Sequence, residues 1–387
     1  MTPRLHDVAL VGLGPVGATL ALAIGRHGLD VVALDARRAG ERTRGDRSLA
    51  LSHGARLILE RVGVWDALRD IEGALTPITA IDVSQAGGFG ATRLSAADHG
   101  IEALGYVASY VALQDALDRA LATSDVLTSF GTDAASVEGT FSDARIATSG
   151  AEAMLRARLA VIADGAGTTV AGVERTRHDY GQVALIASVW LRRPHGGVAY
   201  ERFTSTGPMA LLPERDHYGL VWTMSPRDAE EMLALGERAF LAALATRFGK
   251  RVDGFVRVES RRTFPLALER ARPTVAARAV VIGNAAQQLH PVAGQGLNLG
   301  LRDAWELAQL ILDTPRDALG SPAMLSRHAR RRGVDRGAGI AFTHGLLHIF
   351  GADHAAVRWP RGIALAVMES TPPLKRAFTR SMLFGLR

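Results

Sequence analysis

A chain of 387 residues, 48% hydrophobic and 22% charged, with 41 Gly and 15 Pro, has the make-up of a globular protein of two or three folding units with ample material for a core. The absence of cysteine excludes a disulfide scaffold, a thiolate zinc site, a cysteine nucleophile and a cysteine-ligated cluster. The net charge of +6 rests on 43 Arg and two Lys (Lys250, Lys375), but the arginines are interspersed with acids and no basic run carries aromatics that stack bases, so nucleic-acid binding is not expected.

Residues 1–7 lack the apolar core of a secretory signal, and no stretch reaches the roughly 18 continuous apolar residues of a membrane span. The expectation is a soluble or peripheral protein of a reducing cytoplasm. In chain order, Val8-Ala-Leu-Val11, the run Gly12-Leu-Gly14-Pro15-Val16-Gly17, an Ala/Leu segment to Gly25 and Leu29-Asp-Val-Val-Ala-Leu34-Asp35 read as strand, glycine turn, helix and strand, a βαβ unit. A helix is expected over 52–62, ended by Gly63. Strands of a different sheet follow over 78–94, then a helix over 111–122, and antiparallel alternation over 126–148. A buried strand at 158–163 runs into Asp164-Gly165. Segments 182–191, 198–212 and 217–224 read as an inserted antiparallel sheet, followed by helix over 227–248. Residues 278–283 restore the buried parallel type, 296–312 reads as helix, and the remainder is mostly helical. No internal repeat or low-complexity linker appears, so two interleaved domains are expected.

Gly12-x-Gly14-x-x-Gly17 at a strand-to-helix turn has a physical purpose. The first glycine makes the turn, the second lets backbone approach a pyrophosphate, and the third lets helix and strand pack closely. Asp35, 18 residues after Gly17 at the end of the second strand, is placed to accept hydrogen bonds from an adenosine ribose. These residues predict a dinucleotide and do not separate NAD from FAD. In the C-terminal half, Gly283-Asn284-Ala-Ala-Gln287 leads into His290-Pro291-Val-Ala-Gly294-Gln295-Gly296-Leu297-Asn298-Leu-Gly300-Leu-Arg-Asp303. A glycine-rich turn opening a helix points unpaired N–H groups and the positive helix end outward, which suits an anionic group.

Here the chain resembles the FAD-dependent aromatic hydroxylases, and residues 290–303 are similar to the signature H-P-x-A-G-Q-G-x-N-x-G-x-x-D of their ubiquinone-biosynthesis branch. Asp164-Gly165 is similar to the family's Asp-Gly motif, and the likeness runs from Val8 to about Leu347. Two departures stand out. Asn284 replaces the usual Asp of the third motif, and its run Asn-Ala-Ala-Gln looks like the 2-octaprenyl-6-methoxyphenol hydroxylase branch; Ala171 stands where many relatives carry an Arg.

The resemblance implies a para-hydroxybenzoate hydroxylase-like fold of the α/β class. Its Rossmann-like parallel-sheet FAD domain would comprise 1–75, 94–173 and 272–342; an interleaved antiparallel-sheet substrate domain would comprise 76–93 and 174–271, with a helical segment over 343–387. It implies FAD as cofactor, NAD(P)H as electron donor, and oxygenation by O2 of a prenylated phenol in ubiquinone assembly. Cofactor residues would be Gly12, Gly14, Pro15, Val16, Gly17, Asp35, Arg47, Gln114, Asp164, Gly283, Asn284, Pro291, Gly294, Gln295, Gly296, Leu297 and Asn298, with Pro291, Gly294, Gln295 and Gly296 at the reacting ring. Gly294→Val is then expected to cost turnover more than stability. Phe203, Met209 and Leu211 are expected in the substrate pocket, Met209 and Leu211 on one wall with Ala210 behind. Glu201-Arg-Phe203 belongs to that block without naming a catalytic side chain.

Alternatives stay open at this point: a reductase or dehydrogenase of the same fold, or a non-catalytic lipid-binding or assembly subunit that keeps FAD only as structure. A multi-enzyme ubiquinone assembly and a homo-oligomer are the partner states the resemblance leaves open. No metal is expected, since His344 and His348 at i, i+4 have no third ligand. The stretch 375–387, with Lys375, Arg376, Arg380 and Arg387 beside Phe378, Met382, Leu383 and Phe384, suits either a peripheral contact with the inner face of an anionic membrane or a helix packed on the domain.

Overall fold

The computed structural model describes residues 4–41, 46–149, 154–165, 167–204, 206–288, 294–333, 337 and 355–385. The expected opening unit is present: β1 (Leu5–Val11), α1 (Pro15–Gly25) and β2 (Val31–Asp35), with β1 and β2 parallel. β1 also pairs in parallel with Leu155–Ile162, which pairs in parallel with Ala279–Val281, so three apolar runs expected as buried strands lie side by side in one sheet. Such strands are buried on both faces, which is why they read as continuous apolar runs rather than alternating ones. The segment 126–148 divides: Leu127–Phe130 adds to β2 in parallel, whereas Ala134–Gly139 and Ala144–Thr148 form the expected antiparallel pair.

The second sheet has eight strands in the spatial order 287–288, 255–272, 174–191, 217–224, 207–214, 198–204, 80–85 and 91–95. Its strands are antiparallel except for one parallel pair, Val198–Thr204 with Ala80–Gln85. The expected single segment 198–212 is a hairpin of Val198–Thr204 and Gly207–Glu214. Residue 94, expected at a domain boundary, lies inside the strand Ala91–Ser95 of this sheet. One face of the sheet is covered by the helices Pro226–Ala234 and Glu237–Phe248, where Met209, Leu211, Trp222, Phe240 and Leu244 form a closed core. A small third sheet joins β3 (Ser48–Ser52) to Gly105–Ser109 and Leu75–Ile78, a pairing not anticipated from the sequence.

The helix Gln295–Leu312 packs on α1, and small residues set the distance: a Cβ on Gly300 would lie 2.7 Å from Val16 Cγ2. Beneath it the buried Asp303 carboxylate accepts from Arg332 Nε at 2.6 Å, which fixes this helix to the helical stretch 322–333. Two C-terminal helices, Ala355–Ser370 and Pro372–Phe384, cross the small sheet and the edge of the large one.

Candidate active site

The two sheets and the C-terminal helices enclose one cavity of about 1300 Å³, larger than the roughly 300–1,000 Å³ of an ordinary ligand pocket. One end is built at the β1–α1 turn. Gly12 has φ +93°, and a Cβ on it would lie 2.5 Å from Asp164 Cα; a Cβ on Gly17 would lie 1.9 Å from the Gly12 carbonyl oxygen. Gly14 differs from both. Nothing stands within 4 Å of where its Cβ would be, and it lines the cavity. It is also the N-cap of α1, which has no side-chain cap and no acid in its first turn. An open approach to bare backbone at a helix N-terminus is the cradle a pyrophosphate requires.

Asp35 lines this end and is already engaged. Leu13 N–H donates to Oδ2 at 2.6 Å, and Arg37 donates to Oδ1 from its backbone N at 2.8 Å and from Nε at 3.0 Å. Burial works against the Arg37 charge, but its bonds to Asp35 and Asp118 outweigh this and hold its pKa above the ordinary value. Asp35 therefore shapes the turn as well as facing the cavity; a carboxylate's remaining lone pairs are still open to a ribose hydroxyl. Gln114 is buried behind the wall. Its Nε2 donates to Leu13 O at 2.9 Å and to Asp118 Oδ1 at 2.8 Å, so it braces the turn and does not line the cavity, contrary to expectation.

Asp164 lines the middle of the cavity. Its Oδ2 accepts from Thr168 N and Oγ1, both at 2.7 Å, while its Oδ1 is buried with no hydrogen-bond partner. An orphaned carboxylate oxygen beside a large cavity is satisfied by a ligand hydroxyl. Asn284 is exposed to the cavity nearby, while Gly283 packs against Val16 behind it. Arg47 lines the wall with its guanidinium 4.3 Å from the Tyr110 ring centroid.

Gly294, with φ +59°, caps the helix Gln295–Leu312, and Gly294, Gly296, Leu297 and Asn298 all line the cavity. Asn298 spends its amide on β3: Nδ2 donates to Ala50 O and Gly294 O, both at 2.8 Å, and Oδ1 accepts from Ser52 N at 2.8 Å. It clamps the turn rather than reaching outward. Gly294→Val is also corrected as a probe, because a Cβ there would lie 2.7 Å from Ala50 Cβ on a left-handed backbone, so the substitution strains the fold itself. Gly296, with nothing within 4 Å of its Cβ position, is the clean probe of the same turn. Pro291 and the side chain of Gln295 lie outside the described residues, as do His344 and His348.

The other end of the cavity is the free face of the large sheet. Phe203 lines it as expected, but Met209 and Leu211 do not: both are fully buried on the opposite face, under the two helices. Pro208, Ala210 and Leu212 line the cavity instead. The parity is set by which face the helices cover, and the bulkier side chains fill that core while Ala210 leaves room on the other side. The sequence placed Glu201 in the substrate block without a role; it shares the cavity face with Ala199 and Phe203, and burial pushes its pKa up to about 8. Its signal was a lone acid at i±2 from apolar residues on a strand.

The C-terminal helices close the cavity with Leu365, Met368, Phe378, Met382 and Leu383. The apolar residues of 378–383 therefore face inward, and Lys375 is held by Glu369 at 3.2 Å. The exposed apolar set lies elsewhere: Trp359, Ile363 and Val367 at i, i+4 and i+8, with Phe89 5.2 Å from Trp359. Among the described residues, no helix is long and apolar enough to cross a membrane and no cluster of metal-binding side chains is found.

The bare helix N-terminus at Gly14 and the orphaned Asp164 oxygen fit a flavin dinucleotide, and the comparisons agree. The FAD binding domain family matches residues 6–337. Ubiquinone hydroxylase UbiL of Rhodospirillum rubrum is 32% identical over 99% of this chain and 91% of its own length. The 3-demethoxyubiquinol 3-hydroxylase of Escherichia coli is 29% identical over 87% of each chain. Among solved structures, p-nitrophenol 4-monooxygenase PnpA of Pseudomonas putida DLL-E4 superposes with a TM-score of 0.76 at 18% identity, covering all of both chains, which bears on the fold alone. The chain belongs to the FAD binding domain family, as an FAD-dependent monooxygenase of the para-hydroxybenzoate hydroxylase-like fold.

Proposed function

We propose that this chain hydroxylates the ring of a polyprenyl methoxyphenol in ubiquinone biosynthesis. NAD(P)H and O2 would be consumed; one oxygen atom enters the ring and the other leaves as water. The observation that carries the reading is a single cavity with two unlike ends: backbone and carboxylates at one, the apolar face of a sheet at the other. Bound FAD supplies the relay of two electrons from the nicotinamide and the activation of oxygen.

The chain's residues would hold and orient it. Gly12, Gly14 and the start of α1 take the pyrophosphate, Asp35 the adenosine ribose, and Asp164 and Asn284 the ribityl hydroxyls. The turn at Gly294 and Gly296 directs its helix end to the pyrimidine side, and Asn298 and Gln114 keep the two turns in place. Phe203, Ala210 and Leu212 shape the substrate end and exclude water. Relatives are named for more than one ubiquinone hydroxylation, and Asn284-Ala-Ala-Gln287 favours a methoxyphenol whose ring carries a free position. Incubation of the FAD-loaded enzyme with prenylated methoxyphenols and labelled O2, read by mass spectrometry, tests this. One labelled oxygen per product is expected; NAD(P)H consumption with no labelled product would leave the reductase reading.

For an apolar-tailed substrate the face bearing Trp359, Ile363 and Val367 supports a peripheral membrane contact, because the same helix lines the cavity with Leu365 and Met368 on its other side. Co-sedimentation with anionic vesicles should fall in Trp359→Ser/Ile363→Ser and be unaffected by Lys375→Ala; the opposite pattern would return the contact to the basic tail.

A further inference from the structure

Among the described residues, Glu201 is the one carboxylate on the cavity face of the large sheet, and its nearest cross-strand neighbours are apolar. Its cross-strand neighbours are Val83 and Ala210, with Val221 beyond Ala210, and all three line the cavity. Among the described residues no hydrogen bond or ion pair engages its carboxyl, and this half-buried residue lines the cavity. A carboxyl placed on an apolar floor without a partner is costly to the fold, which is what a group kept for a ligand looks like.

We propose that Glu201 accepts the proton of the substrate's ring hydroxyl. This rests on the reaction proposed above. The O–H bond of the phenol breaks, the Glu201 carboxylate gains the proton, and the electron pair left on oxygen enriches the ring at the carbon to be oxygenated. After oxygenation the displaced ring C–H proton goes to solvent and Glu201 returns its proton to the phenolic oxygen, so the carboxyl ends as it began.

The charged groups around it leave this titration to burial. Arg202, next in the strand, sends its guanidinium to the far face, donating to Arg247 O at 2.6 Å and Ser84 Oγ at 3.1 Å. Asp82 on the neighbouring strand accepts from Arg251 at 3.1 Å. The strands 207–214 and 217–224 present only Pro208, Ala210, Leu212, Val221 and Thr223 to the cavity. Arg361 is the charged group lining it from the C-terminal helices; Asp35, Arg37, Arg47, Asp133 and Asp164 belong to the nucleotide end. Burial alone raises the Glu201 pKa to about 8, within reach of a phenol and near the working pH, where general-base catalysis is most effective.

The test uses the FAD-loaded enzyme and a short-tailed prenyl 2-methoxyphenol. Glu201→Gln should keep FAD, bind the phenol within about threefold, lose about 10²–10⁴-fold in turnover, and lose the limb of the wild-type profile that rises with pH through about 8. Glu201→Asp should recover part of the rate. A second readout needs no turnover: a raised carboxyl pKa means the folded state holds a proton the unfolded state releases, so wild type should lose thermal stability relative to Glu201→Gln as pH rises from about 5 to 8 and level off above. Turnover of Glu201→Gln within threefold of wild type, or parallel melting across that pH range, would overturn the role of Glu201 alone. Absence of labelled product from wild type would overturn the reaction, and this role with it.

Discussion

The two ends of the cavity are made by different means. At the nucleotide end the ligand surface is largely backbone: a turn whose shape is enforced by glycines that have no room for a Cβ, a helix start without a cap, and polar side chains such as Gln114 and Asn298 that spend their hydrogen bonds holding carbonyls in place. At the sheet end the surface is side chains, one face of strands whose other face is a closed core. The first kind of site is written into residue identities at fixed offsets; the second depends on parity, which the neighbouring helices decide.

Glycines of one motif sharpen the contrast most. Gly17→Ala would drive a Cβ to 1.9 Å from the Gly12 carbonyl, and the cost should reach or exceed about 3 kcal/mol, the upper part of the range for overpacking. Gly14→Ala meets no protein atom, should melt within about 1 kcal/mol of wild type, and should lose FAD. Thermal melts with FAD titration check both; FAD binding by a stable Gly14→Ala would mean that the cradle lies elsewhere. A similar inversion holds in the sheet. Met209→Ala should cost about 2–5 kcal/mol and leave substrate choice alone, while Ala210→Phe should keep stability and raise KM for long-tailed phenols above that for short ones.

These pairs also mark what could be read beforehand. The βαβ unit, the Asp-Gly motif and the helix after Gly294 were legible because a buried parallel strand is a continuous apolar run and its turn demands glycine. The wall of Met209 and Leu211 was read backwards because alternation fixes which residues share a face without fixing which face is covered. Asn298 and Gln114 were recognised as belonging to the site, but their work is internal, through bonds spanning 246 to 248 residues for Asn298 and 101 for Gln114, which no local pattern reveals. For Met382 and Leu383 the sequence left a membrane contact and a packed helix open, because their burial depends on the cavity they close, which no local pattern shows.

The smallest expected effect discriminates between shaping and binding at the nucleotide end. Asp164 does both, with different oxygens: Oδ2 holds Thr168, and Oδ1 has no protein partner. Asp164→Asn keeps an oxygen for Thr168 and removes the charge, so melting of the FAD-free protein should move by less than about 0.5 kcal/mol. What it changes is the bond offered to a ligand hydroxyl, from a charged acceptor worth about 1.5–3 kcal/mol to a neutral group worth about 0.5–1.5. FAD should therefore bind about tenfold more weakly, a difference of about 1.4 kcal/mol. Asp35→Asn is the necessary companion: it also weakens the bonds to Leu13 and Arg37, so its loss of FAD affinity should come with a measurable loss of stability. Fluorescence titration of the FAD-free proteins with FAD, set beside their melts, separates the two. Equal affinity in wild type and Asp164→Asn would show that the orphaned oxygen does not meet the cofactor, and that Asp164 is only a brace for Thr168.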